Sequence, residues 1–136
     1  MSAKAWFRAT REMLGLTQQD VAEAADVRVM TVKRWERPGD PEPPADVIEW
    51  LEALSEAQRD TVDAAVSAVV SSVPLRGSAQ LTYYRTQEQY DELGRDPGPV
   101  GMANANARMV AARLDAMGYT VGFAYPDDPG SIHQGK

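Results

Sequence analysis

The chain has 136 residues, of which 43% are hydrophobic and 25% charged, and a formal net charge of -6. That length allows one ordinary domain or two small ones, and the composition is that of a globular chain rather than a disordered or fibrous one. There is no cysteine and a single histidine, His133, in a Gly/Ser-rich tail, which excludes disulfides, thiolate chemistry and cysteine-based zinc sites. No apolar run approaches the roughly 18 residues of a membrane span and no signal-peptide pattern opens the chain, so a cytoplasmic location without a membrane partner is expected. Residues 1–40 hold seven basic against six acidic groups, a balance of +1; the remainder hold seven against fourteen, or -7. A polyanion would therefore be met by the N-terminal third.

Residues 3–14 (AKAWFRATREML) place Trp6, Phe7, Met13 and Leu14 at helical spacing before Gly15 stops the run. Thr17 with Asp20 forms a capping-box pattern, so a second helix is predicted from Gln18, its small apolar face made by Val21, Ala22 and Ala25. Asp26 stands where the chain must turn, and Asp tolerates left-handed backbone better than most residues. A third helix is predicted over 28–36 with Val32 and Trp35 inward, ended by the proline-rich RPGDPEPP. DVIEWLEAL predicts a short fourth helix showing Val47, Ile48, Leu51 and Leu54. Ser55 with Gln58 reads as another capping box, opening a fifth helix to about Ser71 with Val62, Val66, Val69 and Val70 on one face. Pro74 and Gly77 mark a linker.

Beyond the linker the periodicity changes. QLTYYR alternates Leu81 and Tyr83 against Thr82 and Tyr84, which predicts a strand. Thr86 with Gln89 caps a short helix ending near Gly94. Residues 102–117 put Met102, Met109, Val110, Leu114 and Met117 on one helical stripe closed by Gly118, and YTVGFAY predicts a second strand with Tyr119, Val121 and Phe123 alternating. The fold class expected is α+β, mostly α: a five-helix domain over 1–73, a β-α-α-β domain over 78–126, and a flexible tail over 127–136.

Two short helices joined by a tight turn, the second of them basic, describe a helix-turn-helix, which lays its second helix in the DNA major groove. Arg11, GLTQ at Gly15–Gln18, VAEAADV, and TVKRWE at Thr31–Glu36 together resemble the Xre/Cro–CI family of regulators over residues 5–40. The β-α-α-β part, with TYYRTQEQYDEL, resembles the C-terminal part of a smaller group of phage and bacterial regulators that includes the anti-CRISPR-associated repressors, in which it dimerises. The first resemblance implies base-facing positions at Arg28, Val29, Met30, Lys33 and Arg34 and a phosphate contact from Gln18; phosphate contacts from Thr17 and Arg37 are expected beside it. It also implies a scaffold ion pair between Arg11 and Glu36. Where many members have a helix-capping serine this chain has Arg28, and where a glycine follows the third helix it has Arg37. Chemically, Arg34 can present two donors to guanine O6 and N7, Val29 and Met30 can touch thymine methyls, and Arg28, Lys33 and Arg37 suit phosphates.

Trp35 and Trp50 read as core, Tyr83, Tyr84 and Tyr90 as the buried face of a small sheet, and Asn104 and Asn106 as capping or solvated groups. The acidic run from Glu42 to Asp63 reads as a solvated face. No nucleophile with a base and no metal cluster is legible, so neither an enzyme nor a cofactor or metal is expected. The function expected is a DNA-binding regulator, a dimeric (auto)repressor on double-stranded DNA. The pairing residues expected are Leu81, Tyr83, Met109, Val110, Leu114, Met117, Val121 and Phe123. An antitoxin-type protein-binding module and a small-molecule-sensing regulator are the alternatives.

Overall fold

The structure, a computed structural model, describes residues 2–129. The elements in order are α1 (Lys4–Met13), α2 (Gln18–Ala25), α3 (Val29–Glu36), α4 (Ala45–Ser72), β1 (Ser78–Thr82), α5 (Gln87–Leu93), α6 (Val100–Ala116) and β2 (Thr120–Ala124). The chain is thus α+β and mostly helical. His133, and all of the 127–136 tail except Asp127, Asp128 and Pro129, lie outside the described residues. By packing the chain divides into two units, the first Met1–Gln58 and the second beginning at Arg59.

In the first unit, local chemistry sets the helix ends. Thr17 Oγ1 accepts the Asp20 N–H at 2.9 Å while the Asp20 carboxylate accepts the Thr17 N–H at 2.8 Å, so two donors that a helix start leaves over are satisfied reciprocally. Asp26 turns the chain out of α2 in left-handed geometry, φ 55° and ψ 49°. Phe7, Leu14, Leu16, Val21, Val32, Trp35, Val47 and Leu51 are buried. Taking each side chain of this size out of water contributes about 1.5–3 kcal/mol. Phe7 meets Trp35 edge-on at 5.9 Å, tying α1 to α3.

The fourth and fifth helices expected from sequence are one. α4 runs unbroken for 28 residues through Ser55. A capping box needs a break before it, and ADVIEWLEALSEAQRD contains neither glycine nor proline to make one. Gln58 does other work: it is buried, and its amide donates to the Met13 carbonyl at 3.0 Å, closing the end of α1.

In the second unit, Val62 and Val66 of α4 form a core with Val110, Leu114 and Tyr119, flanked by Ala65, Val69, Val73, Ala79, Leu81, Met109 and Val121. The C-terminal part of α4, assigned by sequence to residues 1–73, therefore packs with the β-α-α-β part. β1 and β2 pair in parallel, from Ser78 opposite Thr120 to Thr82 opposite Ala124. Parallel neighbours need a crossover, which α5 and α6 supply. Gly118, with φ 96°, gives the left-handed step from α6 into β2.

β1 starts two residues earlier than expected and stops before the tyrosines. Tyr84 leaves the ladder because the Asn104 side chain takes its backbone: Asn104 Oδ1 accepts the Tyr84 N–H at 3.0 Å and Nδ2 donates to the Tyr84 carbonyl at 2.8 Å. Asn104, expected to be capping or solvated, is a buried clamp. A second correction concerns the α6 stripe. Val110 and Leu114, expected to face another copy, lie in the protomer's own core with Met109 partly buried beside them, whereas Met117 stays 44% exposed. The periodicity marked an apolar face correctly, but the face is covered by α4.

Candidate nucleic-acid interface

α3 is held by its neighbours in the first unit, and buried charge fixes it in two ways, both at its C-terminal end. Arg11 Nε donates to Glu36 Oε2 at 2.7 Å and Nη2 to Oε1 at 3.1 Å, a bidentate pair whose side chains are 10% and 4% exposed. Arg11 Nη1 reaches the Leu16 carbonyl at 2.9 Å, and Gln18 Nε2 adds a donor to Glu36 Oε1 at 3.2 Å. One carboxylate thereby joins α1, α2 and α3. Gln18 keeps a second amide N–H for another acceptor.

The other fixture has no sequence signature. Lys4 is buried, and its ammonium donates to the carbonyls of Arg34 at 3.0 Å, Trp35 at 3.3 Å and Pro41 at 2.8 Å. All three of its protons go to the carbonyls at and beyond the C-terminal end of α3, where a cation is favoured by the helix dipole. Beside it, Glu42 accepts the Ala3 N–H at 2.8 Å and the Ser2 hydroxyl. The Ala3 bond is the chief cause holding the Glu42 carboxyl below its usual 4.5. The residue that opens the acidic run is a cap for α1 supplied from 39 residues away.

What remains outside is one face. Met30, Lys33, Arg34 and Arg37 are exposed at the i, i+3, i+4, i+7 spacing of a helical stripe. Val32 and Trp35 point the other way into the core. Val29 is half-buried, so it presents less surface than its position in the stripe of expected readers implies. Among the described cations of residues 1–40, Lys4 and Arg11 are turned inward, Arg8 pairs with Glu12 at 3.4 Å, and Arg37 pairs with Asp40 at 3.1 Å. Arg28, Lys33 and Arg34 are exposed with no acidic partner among the described residues. The free positive charge of the first unit therefore lies along α3 and its N-terminus.

The two unusual residues flanking α3 are accommodated differently. Arg28 is extended, φ -77° and ψ 150°, and its side chain makes no cap, so no side chain satisfies the first-turn N–H groups of α3. Arg37 is also extended, φ -96°, and the left-handed step comes two residues later at Gly39, φ 87°. Thr17 is exposed but its hydroxyl already accepts the Asp20 N–H, leaving its own O–H as a donor. No helix among the described residues is long and apolar enough to cross a membrane.

Residues 7–49 match a protein family described as helix-turn-helix. The matched span takes in most of α1, all of α2 and α3, and the start of α4. These residues form a DNA-binding helix-turn-helix domain of the Xre/Cro–CI type. No curated protein matches the chain.

Proposed function

We propose that the chain is a transcriptional repressor that binds a pseudo-palindromic operator as a homodimer, reading bases with α3. The observation that carries this reading is the exposed Met30, Lys33, Arg34, Arg37 stripe, in which Lys33 and Arg34 have no acidic partner among the described residues, on a helix locked from behind by Glu36 and Lys4. Specificity needs side chains delivered to base edges from a rigid support, and the major groove admits one helix. Arg34 suits a guanine, Met30 a thymine methyl, and Lys33, Arg28 and Arg37 the flanking phosphates, with Gln18 and the uncapped first turn of α3 adding neutral donors. Glu36 is a positioning residue.

One helix-turn-helix contacts too few base pairs for genomic specificity, so two copies pair with their reading helices about 34 Å apart. The pairing surface is in the second unit. Each strand of the two-stranded sheet has one unpaired edge, and Met117 and Phe123 stay 44% and 49% exposed. With Val110 and Leu114 occupied in the core, these edges and the exposed Met117 and Phe123, with Tyr83, are what the second unit offers to a second copy.

The test is a footprint on DNA upstream of the protein's own gene, followed by titration of variants on the protected site. Arg34→Ala should cost about 1–3 kcal/mol on that site and relax preference at one base pair. Equal losses on protected and random DNA would assign Arg34 to phosphate instead. Sedimentation of Met117→Asp should show a shift to monomer; an unchanged dimer moves the pairing surface elsewhere.

A further inference from the structure

One cavity is not used by DNA binding. In the second unit, Tyr83, Arg108, Phe123, Ala124, Tyr125 and Asp128 line a hollow of about 360 Å³. That is the lower end of the range for small-molecule sites, room for one or two rings. Its walls are aromatic and already ordered: Tyr83 and Phe123 meet edge-on at 5.5 Å, and Tyr125 is held from its own side by Arg85, 5.3 Å from the ring centroid, which is itself paired with Asp127 at 2.8 Å. The polar groups fall into two kinds. Arg108 Nη1 donates to the Tyr83 hydroxyl at 2.6 Å, and Arg108 has no acidic partner among the described residues, so Nε and Nη2 are left as charged donors. The Tyr83 hydroxyl, accepting from Arg108, keeps its own proton to donate. Asp128 accepts the Tyr125 N–H at 2.8 Å through Oδ2, and its Oδ1 is left as an acceptor.

From this we infer that the cavity binds a small planar aromatic acid that carries a hydrogen-bond donor on its ring. The ring lies among Tyr83, Phe123 and Tyr125, the carboxylate takes the free donors of Arg108 and Tyr83, and the ring substituent donates to Asp128. Asp128 is what excludes a plain anion: a carboxylate with nothing to offer it leaves a negative group beside an uncompensated one. The inference does not depend on pairing, but Tyr83 and Phe123 also belong to the proposed pairing surface. A ligand seated against it therefore links occupancy to association, and through association to operator affinity.

Calorimetry and thermal denaturation of the full chain with 4-hydroxybenzoate, benzoate and phenol provide the test. Saturable binding of 4-hydroxybenzoate at one per chain is expected, with a raised melting temperature, and weaker binding of benzoate and of phenol. Arg108→Gln, an exposed position whose loss leaves the core intact, should weaken 4-hydroxybenzoate by about tenfold or more, because a charge-assisted bond is removed. Absence of saturable binding by all three probes, or equal binding by Arg108→Gln, overturns the inference. So does a Phe123→Ala chain that turns from dimer to monomer while the parent takes up none of the probes, which makes the hollow part of the protein–protein surface. DNA binding by the parent is measured alongside, so that failure of the ligand site is told apart from failure of the repressor reading.

Discussion

In the first unit the element that matters, α3, is held by ions: a guanidinium, a carboxylate and an ammonium, all buried, with Gln18 supplying the remaining donor. In the second, the sheet is held by Val62, Val66, Val110, Leu114 and Tyr119, its buried polar fixing is done by neutral amides, Asn104 on Tyr84 and Gln89 on Arg85, and its ion pairs lie on the exposed surface. The difference teaches where orientation matters. Hydrocarbon packing tolerates small rotations of a helix, whereas a bidentate ion pair does not. A helix that must present its outer face in a fixed orientation needs the second kind of support, and a small crossover sheet does not.

The chain carries its own means of testing that contrast, because all three tryptophans (Trp6, Trp35, Trp50) belong to the first unit and all five tyrosines to the second. Arg11→Ala or Glu36→Ala is expected to have the largest effect, about 3–5 kcal/mol, since each leaves a buried charge without its partner. Tryptophan fluorescence should report it as an earlier transition, together with loss of DNA binding. Leu114→Ala should cost about 2–5 kcal/mol and move the tyrosine absorbance transition first. If both probes move together in both variants, the continuous α4 makes one cooperative unit of the two, and the contrast is one of local chemistry rather than of separate stability.

Asn104→Ala should cost about 1–3 kcal/mol in the tyrosine transition, by removing both partners of the Tyr84 backbone. Ser55→Ala should change stability by no more than about 0.5 kcal/mol in either probe, because an alanine in a helix interior replaces a cap that is not made. The pH profile separates the units by sign. Glu42 has its folded value lowered below 4.5, so its contribution is present above that pH and is lost as pH falls through the folded value, loosening α1. Tyr84 and Tyr90 are raised above 10.0, chiefly by burial, so the second unit keeps its stability below about pH 10 and loses it as pH rises through their folded values. A tyrosine transition insensitive to alkali would show both rings to be solvated.

Features carried by residues near one another in the chain were legible from sequence. Thr17 with Asp20, Asp26, Thr86 with Gln89, and Gly118 act over a few bonds, and each does what its local chemistry dictates. Misreadings arose where a local pattern had a distant partner. Ser55 and Gln58 match a capping box in spacing, yet Gln58 is drawn to Met13, 45 residues away. The Val110 and Leu114 face was apparent, but nothing in its spacing says whether α4 or another copy covers it. Lys4 and Asn104 had no legible role because their partners are backbone carbonyls and amides, which every residue carries.

The burial of Lys4 makes the first unit a timekeeper of its own opening. Of the three lysines in the chain, Lys4 and Lys33 lie in this unit, one with its amine enclosed beneath the C-terminus of α3 and the other on that helix's exposed face. An amine-reactive reagent would label Lys33 at once and Lys4 only when α1 parts from α3, so the two labelling rates measure surface occupancy and internal breathing in a single digest. Operator DNA should slow the first by covering it and the second by holding the helices together. The ratio of those two protections separates binding from rigidification in the same molecule.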